Sequence, residues 1–348
     1  MPTRKALILT APQTIKFQEE TLPELEPQQV LIRSVLSAFK HGTEMEAYFG
    51  SSPFLNKDLD FKWRVFQENK AGTSSILYPE TLGNMTVGIV EAVGSEVTDI
   101  KTGEQVFGWL PVADWHVCEA DKVFPLDGMP PEYALSIDPA NFALGGLLDG
   151  QVGYPDKVLV TGLGAIGLLA VQYCKLAGAT VYASSSFEVR RKLATQYGAD
   201  MVLNRRDFQD LGLEVKKMTN GGVDVVLECS GHYAQLQMAM RATRQCGRVV
   251  CVGFYSGDAS VLNLGEEFFH NRLTLLASLP DAYWQNPVRT NPPIYAAGVK
   301  QLIIDDLRTN RLNPEGLLYP IYPFEQAEDA IDAIANRPQD TIKVGIRY

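Results

Sequence analysis

The chain has 348 residues, enough for two domains or for one domain inserted into another. Its 46% hydrophobic and 21% charged residues are ordinary globular composition and ample for a large core. A net charge of -10 argues against nucleic-acid and anionic-membrane partners, since both require clustered Lys and Arg.

No basic-then-apolar stretch precedes a small-residue cleavage site near Met1, so a cytoplasmic location is expected. The apolar run from Ile166 to Val171 is broken by Gln172 and Lys175, too soon for a membrane span. Cys118, Cys174, Cys229, Cys246 and Cys251 are odd in number and lack CxxC spacing, the pattern of separate thiols in a reducing compartment.

Up to about Asp127 the chain reads as short strands punctuated by turns. Ala6–Leu9, Val30–Val35 and Val87–Val93 are β-rich, and Gly103–Phe107 follows a further turn. This is the texture of a small all-β barrel. After Ala140 strands alternate with helices. Val158–Val160 precedes a helix from Ile166 to Leu176; Val181–Ala183 precedes one from Phe187 to Tyr197 that ends at Gly198. Val223–Leu227 and Arg248–Val252 are further strands around a helix from Ala234 to Ala242. Apolar strands alternating with helices predict a parallel sheet covered on both faces. Beyond Asn286 an irregular stretch is expected, then a helix from Phe324 to Ala335 and a last strand, Lys343 to Tyr348, returning to the β-rich part. The expected domains are therefore 1–139, 140–285 and a C-terminal return, 286–348.

The turn Gly162-Leu163-Gly164-Ala165-Ile166-Gly167 follows a strand and opens a helix, the context in which GxGxxG binds a dinucleotide. Gly162 permits the tight turn, Gly164 lets the pyrophosphate approach the backbone, and Gly167 lets helix and strand pack closely. The N–H groups at Ala165 and Ile166 then face the phosphates. NAD-preferring sites place Asp or Glu at the end of the second strand. Here Ser184, Ser185 and Ser186 stand there, with Arg190 in the next helix and Arg205 after the following strand. Hydroxyl and guanidinium groups accommodate a 2′-phosphate that a carboxylate would repel, so NADP(H) is the expected cofactor.

Gly83-Asn84-Met85 with Gly88–Gly94, Gly103–Gly108, the nucleotide turn, Gly247–Val250 and Val252-Gly253 together resemble the medium-chain dehydrogenase/reductase superfamily. That group includes zinc alcohol dehydrogenases and quinone reductases. The resemblance covers essentially the whole chain. It implies an α/β protein: a GroES-like β-barrel catalytic domain with an inserted Rossmann domain, a doubly wound parallel sheet. It also places Val252, Gly253 and Phe254 along the nicotinamide and His232 at the sheet's edge.

The departures from the family pattern are specific. Zinc-dependent members carry a Cys in a CGSD-like segment, a His-Glu pair, and a later Cys or Glu. This sequence has His41, Asn84-Met85 and Asp138 at those places. A neutral amide is a poor replacement for imidazole, so no catalytic zinc is expected. The four-cysteine lobe of structural-zinc members is absent, because Phe107-Gly108-Trp109 runs almost directly into Asp114. The segment through Gly42-Thr43-Glu44 and Gly50, with Tyr78-Pro79 before Gly83, is similar to the zinc-lacking branch that contains bacteriochlorophyllide hydroxyethyl dehydrogenases. An extra stretch from Ser51 to Ser75 reads as a surface excursion, an oligomer contact or a substrate lid.

Without a metal, hydrogen-bond donors must stabilise the oxygen of the reacting carbonyl. Thr43 matches the family's substrate-contacting hydroxyl, His41 is the candidate acid/base, and Asn84 is a second donor; His116 and His270 have weaker claims. The expected activity is NADP(H)-linked interconversion of an alcohol and a ketone or aldehyde on a small molecule. Conjugate reduction of an enone or quinone, and a non-catalytic NADPH-binding sensor, are the alternatives. Leu273–Ala277 reads as the last strand of the nucleotide sheet, and pairing of that edge predicts a homodimer or a dimer of dimers.

Overall fold

The structure, a computed structural model, describes residues 3–69, 78–280 and 296–348. The chain divides into two compact units, Met1–Leu135 with Leu318–Tyr348, and Ser136–Leu317. The expected boundary at 286 lies outside the described residues, as does the end of the extra stretch, 70–75.

The first unit is built on strands whose side chains alternate between core and surface. It begins with β1 (Thr3–Ala11), β2 (Thr14–Thr21) and β3 (Gln29–Ala38), followed by helix α1 (His41–Phe49). A hairpin of β4 (Lys57–Asp60) and β5 (Val65–Glu68) comes next, then β6 (Glu80–Thr81) and β7 (Met85–Val93). β8 (Gln105–Gly108), β9 (Trp115–Glu119), β10 (Val123–Pro125) and the short helix α2 (Pro131–Ala134) complete its first part. In β3, Val30, Ile32, Ser34 and Leu36 are buried while Arg33 between them is exposed, the period of a half-buried strand. The hairpin holds the extra stretch at the surface, with Phe61 78% and Trp63 67% exposed. α1 lies where the sequence offers a motif but little helical periodicity. It ends at Gly50, whose φ of 67° and backbone N–H close the last turn.

The second unit opens with α3 (Ile137–Asp149) and continues as β11 (Lys157–Thr161), α4 (Ala165–Leu176), β12 (Thr180–Ser185) and α5 (Glu188–Gln196). β13 (Met201–Asn204), α6 (Leu211–Thr219), β14 (Val223–Glu228), α7 (Tyr233–Ala242), β15 (Thr243–Cys251) and β16 (Thr274–Ala277) follow. All six strands are parallel, in the order β13-β12-β11-β14-β15-β16. The order reverses between β11 and β14, and a sheet of this kind binds its ligand outside the carboxyl ends of the strands at that reversal. Val158–Val160, Val225–Leu227, Val249 and Val250 are wholly buried, because helices cover both faces. β16 lies at the sheet's edge, with Leu275 37% exposed.

Part of the tail expected to be irregular is instead the helix α8 (Ala296–Arg308). Val299, Ile303, Ile304 and Leu307 recur at three- and four-residue intervals and are buried along one stripe. The chain then returns to the first unit through β17 (Leu318–Pro323), α9 (Ala327–Asn336) and β18 (Lys343–Arg347). β18 pairs antiparallel with β3, setting Gly345 opposite Ala38.

Three bonds clamp β18 to the start of α1. The Phe39 N–H donates to the Val344 carbonyl at 3.2 Å, and the Val344 N–H donates to His41 Nε2 at 2.9 Å. Lys343, only 4% exposed, donates through Nζ to the Phe39 carbonyl at 3.0 Å. Lys343→Met keeps the buried stem and takes this donor away. It should cost about 1–3 kcal/mol, the scale of a charged hydrogen bond lost from the interior. Urea unfolding checks this, and an unchanged midpoint would show that the ammonium adds nothing to the clamp.

Candidate functional site

In the second unit the residues expected to hold the dinucleotide gather at the carboxyl ends of β11 to β15. Gly162 has φ of 80°, a conformation open to few residues other than glycine. A Cβ at Gly162 would collide with the Ser230 backbone nitrogen, and one at Gly167 with the Gly162 carbonyl. A Cβ at Gly164, in contrast, would meet nothing within 4 Å. Two glycines therefore serve close packing, and the third leaves open space before the first turn of α4. There the N–H groups of Ala165, Ile166 and Gly167 have no acceptor inside the helix and can receive an anion. These features fit a pyrophosphate.

A buried glutamate organises the opposite wall. Glu228, fully buried at the end of β14, accepts through Oε1 from the Ser230 N–H at 2.9 Å and from the Ser230 hydroxyl. Its Oε2 accepts from the Gly231 N–H at 3.1 Å and from the Tyr255 hydroxyl. Burial and the Glu228 charge raise the Tyr255 phenol above its usual range, so it remains a donor. The Glu228 carbonyl accepts from Val252 and Gly253 at 2.8 and 2.9 Å, fixing the segment that leads to Phe254, itself 56% exposed. His232 is exposed at the start of α7, its N–H donating to the Ser230 hydroxyl at 3.2 Å.

At the end of β12, Ser184 is buried and Ser185 and Ser186 are half-buried. The Ser185 hydroxyl accepts from the Phe187 N–H at 3.1 Å, and its carbonyl accepts from Arg191 Nη1 at 2.9 Å. The Arg190 guanidinium lies 4.8 Å from the centre of the Phe187 ring. Burial lowers Arg190 to about 10, which leaves it a cation at neutral pH. Arg205 reaches from the turn after β13 to α7, where its guanidinium lies beside the Gln235 side-chain amide. Sequence reasoning missed Arg191, Gln235 and Glu228. The first two carry no motif, and Glu228 shows only as one acid at the end of an apolar run.

In the first unit His41 and Thr43 lie in the opening turn of α1, and Asn84 directly precedes β7. The two segments are joined. The Asn84 N–H donates to the Ala38 carbonyl at 3.2 Å, and the Gly83 N–H donates to Glu44 Oε1 at 2.9 Å. Thr43 is exposed. Both polar atoms of the Asn84 side chain are buried and make no hydrogen bond, as is Oε2 of Glu44. Burial pushes the Glu44 carboxyl up to about 7, against the pull of the Lys40 and Gly83 backbone N–H groups and of the Lys343 ammonium. Thr43 and Glu44 line a cavity of about 300 Å³ with Ala47, Ser52, Phe54 and the Glu80–Leu82 segment. Glu44 was singled out in the sequence only as part of a likeness, since burial is invisible there.

His116 is buried in β9 with Nε2 unpaired, and burial lowers it to about 4, so it is neutral. His270 is exposed beside Phe269. Asp138 lies in the first turn of α3, in the second unit. Among the described residues no three His, Cys, Asp or Glu side chains converge as metal ligands. With His41 Nε2 accepting a backbone N–H and a neutral amide at Asn84, the donors present do not fit a zinc ion.

Residues 165–285 match the family described as zinc-binding dehydrogenase. The chain is similar to D-guloside 3-dehydrogenase of Escherichia coli K12, with 32% identity over 99% of this chain and 100% of that protein. It is also similar to L-threonine 3-dehydrogenase of Pyrococcus abyssi, with 30% identity over 70% of this chain and 73% of that one. Among solved structures, a Sinorhizobium meliloti 1021 protein bound to NADP matches it with a TM-score of 0.76 and 21% identity over 100% of both chains. With its glycine-framed turn on a six-stranded parallel sheet and this full-length likeness, the chain belongs to the medium-chain dehydrogenase/reductase superfamily.

Proposed function

We propose that the protein oxidises a secondary alcohol to a ketone with NADP as hydride acceptor and without a catalytic metal. The observation that carries this reading is the full-length similarity to a 3-dehydrogenase of a hydroxylated substrate, joined to an intact dinucleotide turn. NADP, when bound, supplies the electrophilic ring that accepts hydride. The parallel-sheet unit binds and orients it through the first turn of α4, the serine-rich end of β12 and the cations Arg190 and Arg205.

The first unit supplies the side chains that hold the alcohol. The exposed Thr43 hydroxyl bonds the reacting oxygen and relays the alcohol proton to solvent as the hydride leaves the carbon for NADP. Because His41 Nε2 accepts from Val344, the ring proton belongs on Nδ1, and His41, in the same helical turn as Thr43, is the second group assigned to the reacting oxygen. A set of aimed donors replaces the Lewis acid of zinc-dependent relatives.

NADPH should bind more tightly than NADH, and Ser185→Asp should reverse the order by roughly 1–3 kcal/mol, as a carboxylate repels the 2′-phosphate. Fluorescence titration measures this, and equal wild-type affinities would remove the phosphate-pocket argument. Turnover should survive exhaustive chelation. Elemental analysis showing one zinc per chain, lost together with activity, would overturn the metal-free reading. His41→Ala should lower turnover by roughly 10²–10³-fold, the scale of one oxyanion donor, and should also lower thermal stability by breaking the clamp on β18. A stability loss with turnover within a few-fold of wild type would leave His41 as a clamp alone.

A further inference from the structure

We propose that the outer edge of the β4–β5 hairpin is an interface with a second copy of this chain, the two β5 strands pairing antiparallel about a two-fold axis at Phe66. This contact is separate from the β16 edge and independent of the reaction. Residues 61–68 are exposed without a break, and four of them are large and apolar: Phe61 is 78%, Trp63 67%, Val65 48% and Phe66 49% exposed. Single exposed apolar residues are ordinary, whereas a run of them on one ribbon marks a contact surface. β4 and β5 form a sheet of two strands, and among the described residues the second edge of β5 pairs with no strand. A two-stranded ribbon is marginal in water, and an open apolar edge is a template for another strand.

The ribbon is already shaped for pairing. Asp60 Oδ1 accepts from the Lys62 and Trp63 N–H groups at 2.9 and 3.0 Å, and its Oδ2 accepts from Gln67 Nε2 at 3.2 Å. One carboxylate thus fixes the tip and the strand after it, which lowers the ordering cost of association. The sequence of the strand then selects the occupant. With Phe66 on the axis, Val65 faces Gln67 of the partner subunit, and Arg64, which leads into β5, faces Glu68 of the partner subunit. The two-fold axis repeats both pairs. Aromatic meets aromatic and each cation meets an anion, the pairs that stabilise antiparallel strands. Glu68 is available for this, since its side chain is 79% exposed and its ion pair with Lys57 is long at 3.7 Å. A phospholipid surface fits less well, because Asp58, Asp60 and Glu68 offset Lys57, Lys62 and Arg64 on the hairpin and leave no net charge to draw anionic lipid. The contact also bears on the cavity beside α1: Phe66 packs on Phe54, one of its lining residues, at 5.5 Å between ring centres.

The test is sedimentation velocity of the full chain across micromolar concentrations, with circular dichroism to confirm that each variant is folded. Arg64→Glu and, separately, Glu68→Arg should each weaken one association step by about ten-fold, because two symmetric attractions become repulsions. The double variant, Arg64→Glu with Glu68→Arg, restores both pairs in reversed order and should return that step to within about three-fold of wild type. A chain that stays monomeric, or whose association ignores both single variants, would overturn the proposal. So would a double variant that associates as weakly as the single ones. Wild-type binding to vesicles of anionic phospholipid, lost in Trp63→Ser while self-association is unchanged, would put a membrane on this hairpin in place of a second copy.

Discussion

The face of the second unit at the carboxyl ends of its strands depends on a single buried carboxylate. Glu228 gathers two backbone N–H groups and two hydroxyls on its side chain, and two more N–H groups on its carbonyl. Four donors fill the acceptor capacity of a carboxylate, so the group is buried without an unmet lone pair. Its effect is to lock the turns after β14 and β15 to one another. A Cβ on Gly231 would strike the Phe254 carbonyl, and one on Gly253 would strike Gly231, so the two turns touch backbone to backbone. Gly162 then packs against Ser230, which Glu228 holds in place. The glycine turn is therefore one half of a structure whose other half is an acid sixty-odd residues later in the chain.

The first unit has an analogous fixed point in the clamp between β18 and α1. The last strand arrives some 300 residues after the helix it restrains; His41 and the Phe39 N–H bond its main chain at Val344, and its own Lys343 side chain donates back to the Phe39 carbonyl. Closing so long a loop is entropically costly, and specific bonds to a buried lysine and an imidazole offset part of that cost. This arrangement gives His41 a structural task in holding the last strand to the start of α1.

Much of the fold was legible in the residues. The strands from Val158 onward are short apolar runs, and helix α4 starts where the glycine turn requires. The return of the chain to the β-rich part was readable from Lys343–Tyr348, because β-branched and apolar residues there need a partner sheet. What escaped was set by tertiary contact. α1 has mixed composition and is held by the Lys343–Val344 strand. α8 sits beyond a Pro- and Asn-rich stretch that masked its stripe of Val299, Ile303, Ile304 and Leu307. The glycine roles could be deduced from a motif, but the Arg205–Gln235 contact joins segments thirty residues apart that no spacing rule connects.

Two glutamates, Glu228 fully buried and Glu44 half-buried, show how one residue type serves opposite ends. Both hold a backbone N–H of a glycine, Gly231 in one case and Gly83 in the other. Glu228 has a donor for every lone pair, so nothing remains for a ligand and its contribution is rigidity. Glu44 has one oxygen committed and one unmet, in a wall that faces a cavity. An interior acceptor left open is unfavourable, and burial answers it in part by raising the Glu44 carboxyl to about 7, toward its neutral form. The same residue type thus locks a turn where every lone pair is met, and carries an unmet polar cost where one is not.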